Sequence, residues 1–340
     1  MAALQTLWFV VLAVLVAAYA SLDGYSLGIG FLTPVLGRNP EEKSMLRRTI
    51  EATWDGNEVL LILIGGLLFA VFPSVYASVL SGFYLLFMVS FFALIFRTVS
   101  LSLHYGGPHP SRGWRSAFWA GSAVPSFLLG VIAGNLIRGV DLSAGGNYAG
   151  TIGSLFNPFA ISVGVLSLAL VANQGAAWAA MKVTGDLHPR TVWTARITGL
   201  VLLALFVLVS IYAAFALPDH AANVTRRPLG WLAILLTLGG LGYQQYSLAR
   251  SRDSLSFVGA CAAVVGLVGI WFTGTFPSIV PSLGQAAGGL TISNASAARS
   301  TLIVMTVILV PAAPLLVGVL IYVNRIFRGR VQGPGSDRGY

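Results

Sequence analysis

Runs of about twenty apolar residues recur from one end of this chain to the other, and they limit its fold more than any other feature. Of its 340 residues, 56% are hydrophobic and only 9% are charged, whereas soluble domains carry roughly 25% charged residues. Because the core of a bilayer offers no water to the backbone, each run must satisfy its own N–H and C=O groups as a helix. The sequence therefore predicts an all-α integral membrane protein.

The apolar runs predict nine membrane-spanning helices in a single polytopic domain that covers residues 1–340. The first run resembles a cleaved signal at Ala18-Tyr19-Ala20, but no Lys or Arg precedes it, so we expect it to be retained. The predicted spans are approximately 6–35, 57–76, 78–97, 116–137, 157–181, 197–217, 229–248, 255–274 and 300–323.

Lys and Arg are divided unevenly between the two sets of connecting segments. Sixteen of the 20 lie in alternate segments and four lie in the others. Because cytoplasmic loops retain Lys and Arg, we expect the N-terminus outside and the C-terminus inside. The cation-rich segments are 36–56, 97–115, 182–196, 249–254 and 324–340, and the remaining cations are Arg138, Arg226, Arg227 and Arg299.

The net charge of +9 follows from these loop cations, and no platform of interleaved aromatic and basic residues indicates a nucleic-acid partner. The single cysteine, Cys261, lies in an apolar run and permits no internal disulfide and no Cys-ligated cluster. A buried haem needs axial His or Met ligands from within the spans. We expect this chain alone to bind no haem, other cofactor or metal, because its histidines lie in loops or at span ends: His104, His109, His188 and His220.

The stretch SLDGYSLGIG (21–30) places a carboxylate, Asp23, inside the first predicted span. Asp23 would lie about 25 Å along that helix, in the inner part of the bilayer. Acids at this depth are costly and are usually functional, although a structural hydrogen bond to a neighbouring helix is the alternative. Gly24 and Gly28 form a GxxxG pair, which favours close helix packing.

A second stretch, WDGNEVLLI (54–62), carries two acids, Asp55 and Glu58, on one face of the first turn of the second span. Their spacing also fits a capping box, in which the acids only stabilise the helix N-terminus. Since Asp23 is expected on the same side of the membrane, the three acids together predict a path for protons or cations. The spacing alone leaves both interpretations open.

Other polar groups in or near the spans have structural explanations. Arg97 ends the predicted third span, where its side chain can extend to the cytoplasmic surface. Interhelical hydrogen bonds account for Asn135, Asn173 and Gln174.

The two acidic stretches resemble the signature sequences of subunit II of the cytochrome bd quinol oxidases. The resemblance continues in order through most of the chain, with thin support between about 197 and 265. It is carried further by GSAVPSFLLGVIAGNLIRGV (121–140), LFNPFAISVGVLSLALVANQGA (155–176), KVTGDLHPRT (182–191), FTGTFPSIVPS (272–282) and LIVMTVILVPAAPLLVGVLIY (302–322).

The resemblance implies a bacterial cytoplasmic-membrane subunit with two four-helix bundles and one additional helix. It implies a heterodimer with subunit I, which holds haems b and d, and allows for a small single-helix subunit and for a quinone that no residue here identifies. The complex would oxidise quinol and reduce oxygen to water.

Residue by residue, Asp23 and Asp55 match the acids of the two family signatures, and the position of Asp55 is associated there with proton delivery. Glu58 occupies a position that varies between Gln and Glu, and Ser26 stands where the family often has a second acid. A proton-coupled secondary transporter that uses Asp23 and a purely structural anchor are the alternatives to an oxidase subunit.

Overall fold

A computed structural model describes residues 1–102, 111–143, 145–283, 289–326 and 329. In these residues, helices form nearly all of the regular structure, together with one antiparallel pair of short strands, β1 (Ser278–Val280) and β2 (Leu290–Thr291). The helices are α1 (Ala2–Leu36), α2 (Pro40–Arg48), α3 (Trp54–Val71), α4 (Pro73–Gly82), α5 (Tyr84–Ser102), α6 (Arg112–Arg138), α7 (Ile152–Leu155), α8 (Pro158–Lys182), α9 (Leu187–Ala216), α10 (Pro218–Arg226), α11 (Pro228–Ala249), α12 (Asp253–Thr275) and α13 (Arg299–Ile326).

Eight helices of the described part are long and apolar enough to cross a membrane: α1, α3, α5, α6, α8, α9, α12 and α13. The prediction of an all-α membrane protein is therefore confirmed. α11 falls outside this set, although the sequence predicts a span at 229–248. His104, His109 and most of the predicted C-terminal segment lie outside the described residues.

The bounds of the second and third predicted spans need correction. The prediction places them at 57–76 and 78–97, but α3 ends at Val71 and α5 begins only at Tyr84. Between them lies α4, which starts at Pro73, a residue that has no backbone N–H to continue the preceding helix. The side chains of Phe72 and Phe83, at the two breaks, are buried, so both changes of direction are packed into the core.

α1 is the central helix, because it contacts α3, α6, α8 and α12 along its length. Near its carboxyl end, Tyr25 stacks on Trp178 of α8 with ring centroids 4.0 Å apart. The indole N–H of Trp178 donates to the carbonyl of Thr49 at 3.1 Å, in the segment between α2 and α3. These contacts fix the start of α3 over the carboxyl end of α1.

The two glycines of the GxxxG pair have different surroundings. A Cβ atom on Gly28 would lie 2.7 Å from Cα of Gly175 in α8, which is closer than any side chain tolerates. A Cβ atom on Gly24 would lie 3.7 Å from Cγ of Gln174, an ordinary van der Waals distance. Gly28 thus marks the closest approach of α1 and α8, whereas Gly24 has room beside it.

This difference predicts opposite outcomes for the same substitution. Gly28→Ala should force α1 and α8 apart, because overpacking a close contact costs about 1–3 kcal/mol or more. Gly24→Ala should be neutral or slightly stabilising, since Ala favours a helix over Gly. The measurement is the yield and melting temperature of the purified complex. Equal behaviour of the two variants would show that this contact does not limit packing.

Candidate functional site

Side chains from α1, α3 and α5 form a polar cluster within the membrane-spanning part of the structure. At its centre is Arg97 of α5, whose side chain has no solvent-exposed surface. Its Nη1 donates to Oε1 of Glu58 at 2.8 Å, and its Nη2 donates to Oγ of Ser26 at 2.5 Å. We call Asp23, Ser26, Glu58 and Arg97 the buried charge cluster.

The predicted role of Arg97, a side chain that extends to the membrane surface, is wrong. α5 continues to Ser102, so Arg97 lies about 8 Å before the end of the helix at 1.5 Å per residue. A buried charge is strongly destabilising unless it is paired and hydrogen-bonded. Glu58 and Ser26 are the partners of Nη1 and Nη2 and hold the guanidinium between α1 and α3, whereas Nε has no hydrogen-bond partner among the described residues.

Asp23 is fully buried beside this ion pair. Within the described residues its carboxyl group has no hydrogen bond of full geometry, but the hydroxyl of Tyr19, one helical turn away, lies beside it and interacts with it. The guanidinium of Arg97 acts on Asp23 through its charge.

Asp55 lies at the opening of the same region, in the first turn of α3, and its side chain is exposed. The N-cap residue of α3 is Thr53, and no side-chain hydrogen bond caps the helix. Asp55 and Glu58 therefore do not form the capping box that their spacing permits. The exposed fraction decreases from Asp55 through Glu58, at 23%, to Asp23, at 0%.

Asn57, between the two acids, ties α3 to α1. Its side-chain amide donates to the carbonyl of Leu22 at 2.7 Å and to the hydroxyl of Tyr25 at 3.1 Å. These bonds flank Asp23 in sequence. They hold Glu58 and Asp23 on facing surfaces of the two helices.

A second polar contact joins α8 to α11 and has a structural role. The side chains of Asn173 in α8 and Gln244 in α11 exchange two hydrogen bonds, at 2.9 and 2.7 Å. The predicted interhelical role of Asn173 is thus confirmed. Asn135 donates to the carbonyl of Leu155 at 2.8 Å, which fixes the turn before α8.

Potential metal ligands are not grouped in the described residues. In this part of the chain no three His, Cys, Asp or Glu side chains are grouped as metal ligands. His188, at the start of α9, is paired with Asp253 at 2.9 Å. His220 lies in α10, between two spans. The chemistry that this site offers is therefore that of carboxyl groups and one arginine.

A family model described as cytochrome bd terminal oxidase subunit II matches residues 4–327 of this chain. The chain belongs to this family. It is accordingly an accessory, multi-pass subunit of a bacterial terminal oxidase, in the inner membrane. Family membership shows that the secondary-transporter alternative is wrong.

Individual relatives are similar to this chain over nearly its whole length. The chain is 31% identical to cytochrome bd-I ubiquinol oxidase subunit 2 of Escherichia coli (strain K12), covering 92% of this chain and 91% of that protein. It is 31% identical to cytochrome bd ubiquinol oxidase subunit 2 of Bacillus subtilis (strain 168), covering 98% of each. A chain in the structure of bd oxidase from Geobacillus thermodenitrificans superposes with a TM-score of 0.81 at 17% identity, covering 96% of this chain and 98% of that one. This likeness shows a shared fold.

The sequence analysis identified the three acids of the candidate site, Asp23, Asp55 and Glu58, but not the contacts that hold them in place. The structure brings Asp23 and Glu58 together, with Asp55 at the opening. Tyr19 and Asn57 were missed, and Ser26 and Arg97 were named without their part in this cluster. An arginine within an apolar run is itself a signal, because a buried cation requires a buried anion nearby.

The ion pair of the buried charge cluster can be tested by a double-mutant cycle. Arg97→Gln should lower the stability of the purified complex by about 3–5 kcal/mol, because it leaves buried carboxylates without a cation. Glu58→Gln should also destabilise it. The double variant should be less destabilised than the sum of the two, since the uncompensated charges are removed together.

The measurement is the melting temperature of the four complexes at one pH and salt concentration. Arg226→Gln, an exposed arginine of α10, is the control and should leave the melting temperature unchanged. Strictly additive effects of Arg97→Gln and Glu58→Gln would mean that the two side chains are not coupled.

Proposed function

We propose that this subunit scaffolds a larger, haem-bearing subunit I in a complex that oxidises quinol and reduces oxygen to water. The names of the relatives, ubiquinol oxidase subunits, support this substrate. α13 supports the scaffold role, because its side chains Val304, Val307 and Val310 are 57%, 67% and 68% exposed and only 6% of its apolar stretch is buried. Such a helix suits a contact with the partner subunit, and a small single-helix subunit is compatible with the same complex.

In this proposal α11 is a ninth span. Its 22 residues would extend about 33 Å, which is enough for the hydrocarbon core. Its low hydropathy comes partly from Gln244, which is fully buried and bonded to Asn173. Leu232 and Leu235 are exposed over 58% and 65% of their surface, as lipid-facing residues would be. The close approach of Gly240 to Gly259 in α12 joins α11 to an adjacent span.

The nine spans would form two four-helix bundles, α1, α3, α5 and α6 in one and α8, α9, α11 and α12 in the other, with α13 outside both. The contacts of α5 with α6, α8 with α9 and α11 with α12 support this grouping. The excess of Lys and Arg in alternate segments supports an outer N-terminus and an inner C-terminus. The carboxyl end of α1 and the start of α3 then face the cytoplasm.

Reporter fusions test this orientation directly. Because sixteen of the 20 cations lie in the segments assigned to the cytoplasm, a reporter after residue 340 or within 36–56 should be active inside. A reporter within 275–299 should be active outside. A C-terminal reporter that is active outside would rule out the nine-span arrangement.

The carboxyl groups suggest the second part of the proposed function, a path that delivers cytoplasmic protons towards the oxygen-reducing site. Asp55 would collect protons at the opening, Glu58 would pass them on, and Asp23 would receive them in the interior. The observation that carries this proposal is the decreasing exposure of three acids on two facing helices. Glu58 interacts electrostatically with both Asp55 and Asp23, which makes it the intermediate group.

Arg97 would act as a positioning residue in this path. A guanidinium does not serve as a proton carrier in such a path, so the role of Arg97 would be electrostatic. It stabilises whichever neighbouring carboxyl group is ionised, and this lets Glu58 and Asp23 share one negative charge. Oxygen reduction consumes protons that the bilayer cannot supply, so a series of such groups is required.

Asp55→Asn tests the proton path, because Asn has nearly the same shape as Asp but cannot carry the proton. The complex should assemble with its normal haem content and lose at least about tenfold in oxygen-reduction rate. The loss should grow towards alkaline pH, where protons are scarcer. Asp23→Asn should show the same effect. The measurement is oxygen consumption per assembled complex with saturating quinol.

Glu51→Gln is the matched control, since Glu51 is an exposed acid close to Asp55 in the sequence and has no place in the path. It should turn over at the wild-type rate. Wild-type turnover of an assembled Asp55→Asn complex at every pH would leave the subunit a scaffold with no part in proton delivery.

A further inference from the structure

A basic groove lies beside the carboxyl end of α1, outside the buried charge cluster. It is a cavity of about 370 Å³ between α1, α2 and the first turns of α6. Four cationic side chains line it, Lys43 and Arg47 from α2 and Arg112 and Arg115 from α6. No carboxyl group is among its lining residues.

The positive charge of this groove is not neutralised by the described part of the chain. None of its four cationic side chains takes part in an ion pair or side-chain hydrogen bond there; the ion pairs found involve Arg97, His188 and Arg190. Glu42, the acid of α2 that does form an ion pair, pairs with Arg190 of α9. Burial and the nearby charge of Arg115 lower the pKa of Arg47 to about 10. The groove thus holds like charges close together, and an anion would relieve their repulsion.

The apolar wall of the groove indicates what kind of anion fits. Phe118 and Trp119 line it from α6, and Trp119 is 43% exposed and stacks with Phe31 of α1 at 6.3 Å. Val35, close to Pro34 of the groove wall, is 73% exposed. Since α1 and α6 are both membrane-spanning, the apolar surface continues from the cations towards the lipid-facing sides of the spans. An anion with acyl chains would be in contact with both parts, whereas a soluble anion would use only the cations.

We propose that this basic groove binds the phosphate group of an anionic phospholipid, with the acyl chains lying against Trp119 and Phe31. Guanidinium groups recognise phosphate oxygens through paired, charge-assisted hydrogen bonds. Basic pockets between helices at the membrane surface are suited to lipid headgroups. A bound lipid would bridge α2 to α6, and through α2 it would steady the segment that leads to Asp55.

The test uses the whole complex, purified with its partner subunit and stripped of lipid in neutral detergent. Phosphatidylglycerol is added back and bound lipid is counted by native mass spectrometry. Arg47→Gln with Arg115→Gln should weaken phosphatidylglycerol binding by about 25-fold, because each cation near an anionic lipid surface contributes about fivefold. Binding of zwitterionic phosphatidylcholine should not change.

The matched control is Arg48→Gln with Arg252→Gln, which removes the same charge at two exposed arginines outside the groove. It should bind phosphatidylglycerol as the wild type does. An unchanged affinity in the groove variant, or an equal loss in the control, would overturn the proposal.

Two further arms distinguish other occupants. Glycerol phosphate, the headgroup chemistry without acyl chains, should fail to displace phosphatidylglycerol at equal concentration; displacement would mean a site for soluble phosphates and would overturn the lipid assignment. The groove variant should also retain its partner subunit and its haem spectrum. Loss of the partner would mean that an acidic segment of that subunit occupies the groove, and it would overturn the proposal as well.

Discussion

The ion pair between Arg97 and Glu58 is the constraint on which the arrangement of the first spans depends. A buried guanidinium in a membrane is strongly destabilising unless a nearby anion matches its charge. Glu58 matches the charge at 2.8 Å, and Ser26 accepts a further hydrogen bond. Because the three residues come from α5, α3 and α1, their requirement for one another fixes the relative depth of three helices. Asp23 becomes part of the same environment as a consequence.

The contact of α1 with α8 places this cluster within the rest of the subunit. Gly28 and Gly175 bring the two backbones together, and about one turn before Gly28 lies the buried carboxyl group of Asp23. The same helix therefore provides a rigid apolar contact and a titratable group. Rigidity matters for the second role, since the position of this carboxyl group follows that of its helix.

Much of this fold could be predicted from the sequence, because an apolar segment in the hydrocarbon core of a bilayer must satisfy its own backbone hydrogen bonds as a helix. Apolar runs gave the helices, and α8, predicted at 157–181, occupies Pro158–Lys182. The break at Phe83 was not predicted, since Gly82 is the local signal there and a single glycine is tolerated within a helical pattern. α11, predicted at 229–248, occupies Pro228–Ala249, but the hydrogen bond of its Gln244 to Asn173 could not be predicted, since a single sequence does not reveal that pairing.

The acids of the candidate site could be predicted from the sequence, whereas the role of its arginine could not. Asp23 and Asp55 stood out because carboxylates in or beside apolar runs are costly. Arg97 was misread because the predicted span ended at that residue, whereas α5 continues to Ser102. An error of about one and a half helical turns changed a buried charge into a surface one. Side-chain partners from distant segments, such as Ser26, separated from Arg97 by 71 residues, carry no local signature at all.

Near the carboxyl end of α1, the acidic side chains and the basic side chains lie in two separate places. Asp23 of α1 and Glu58 of α3 lie around Arg97, whereas four cations of α2 and α6 line an open groove that has no acid among its lining residues. Positive charge near a membrane surface both orients the chain and attracts anions. If that charge were distributed beside Asp55, it would repel the protons that the proposed path must collect. A lipid phosphate in the groove would neutralise part of this charge, so the cations that orient the subunit could remain close to a proton path without opposing it.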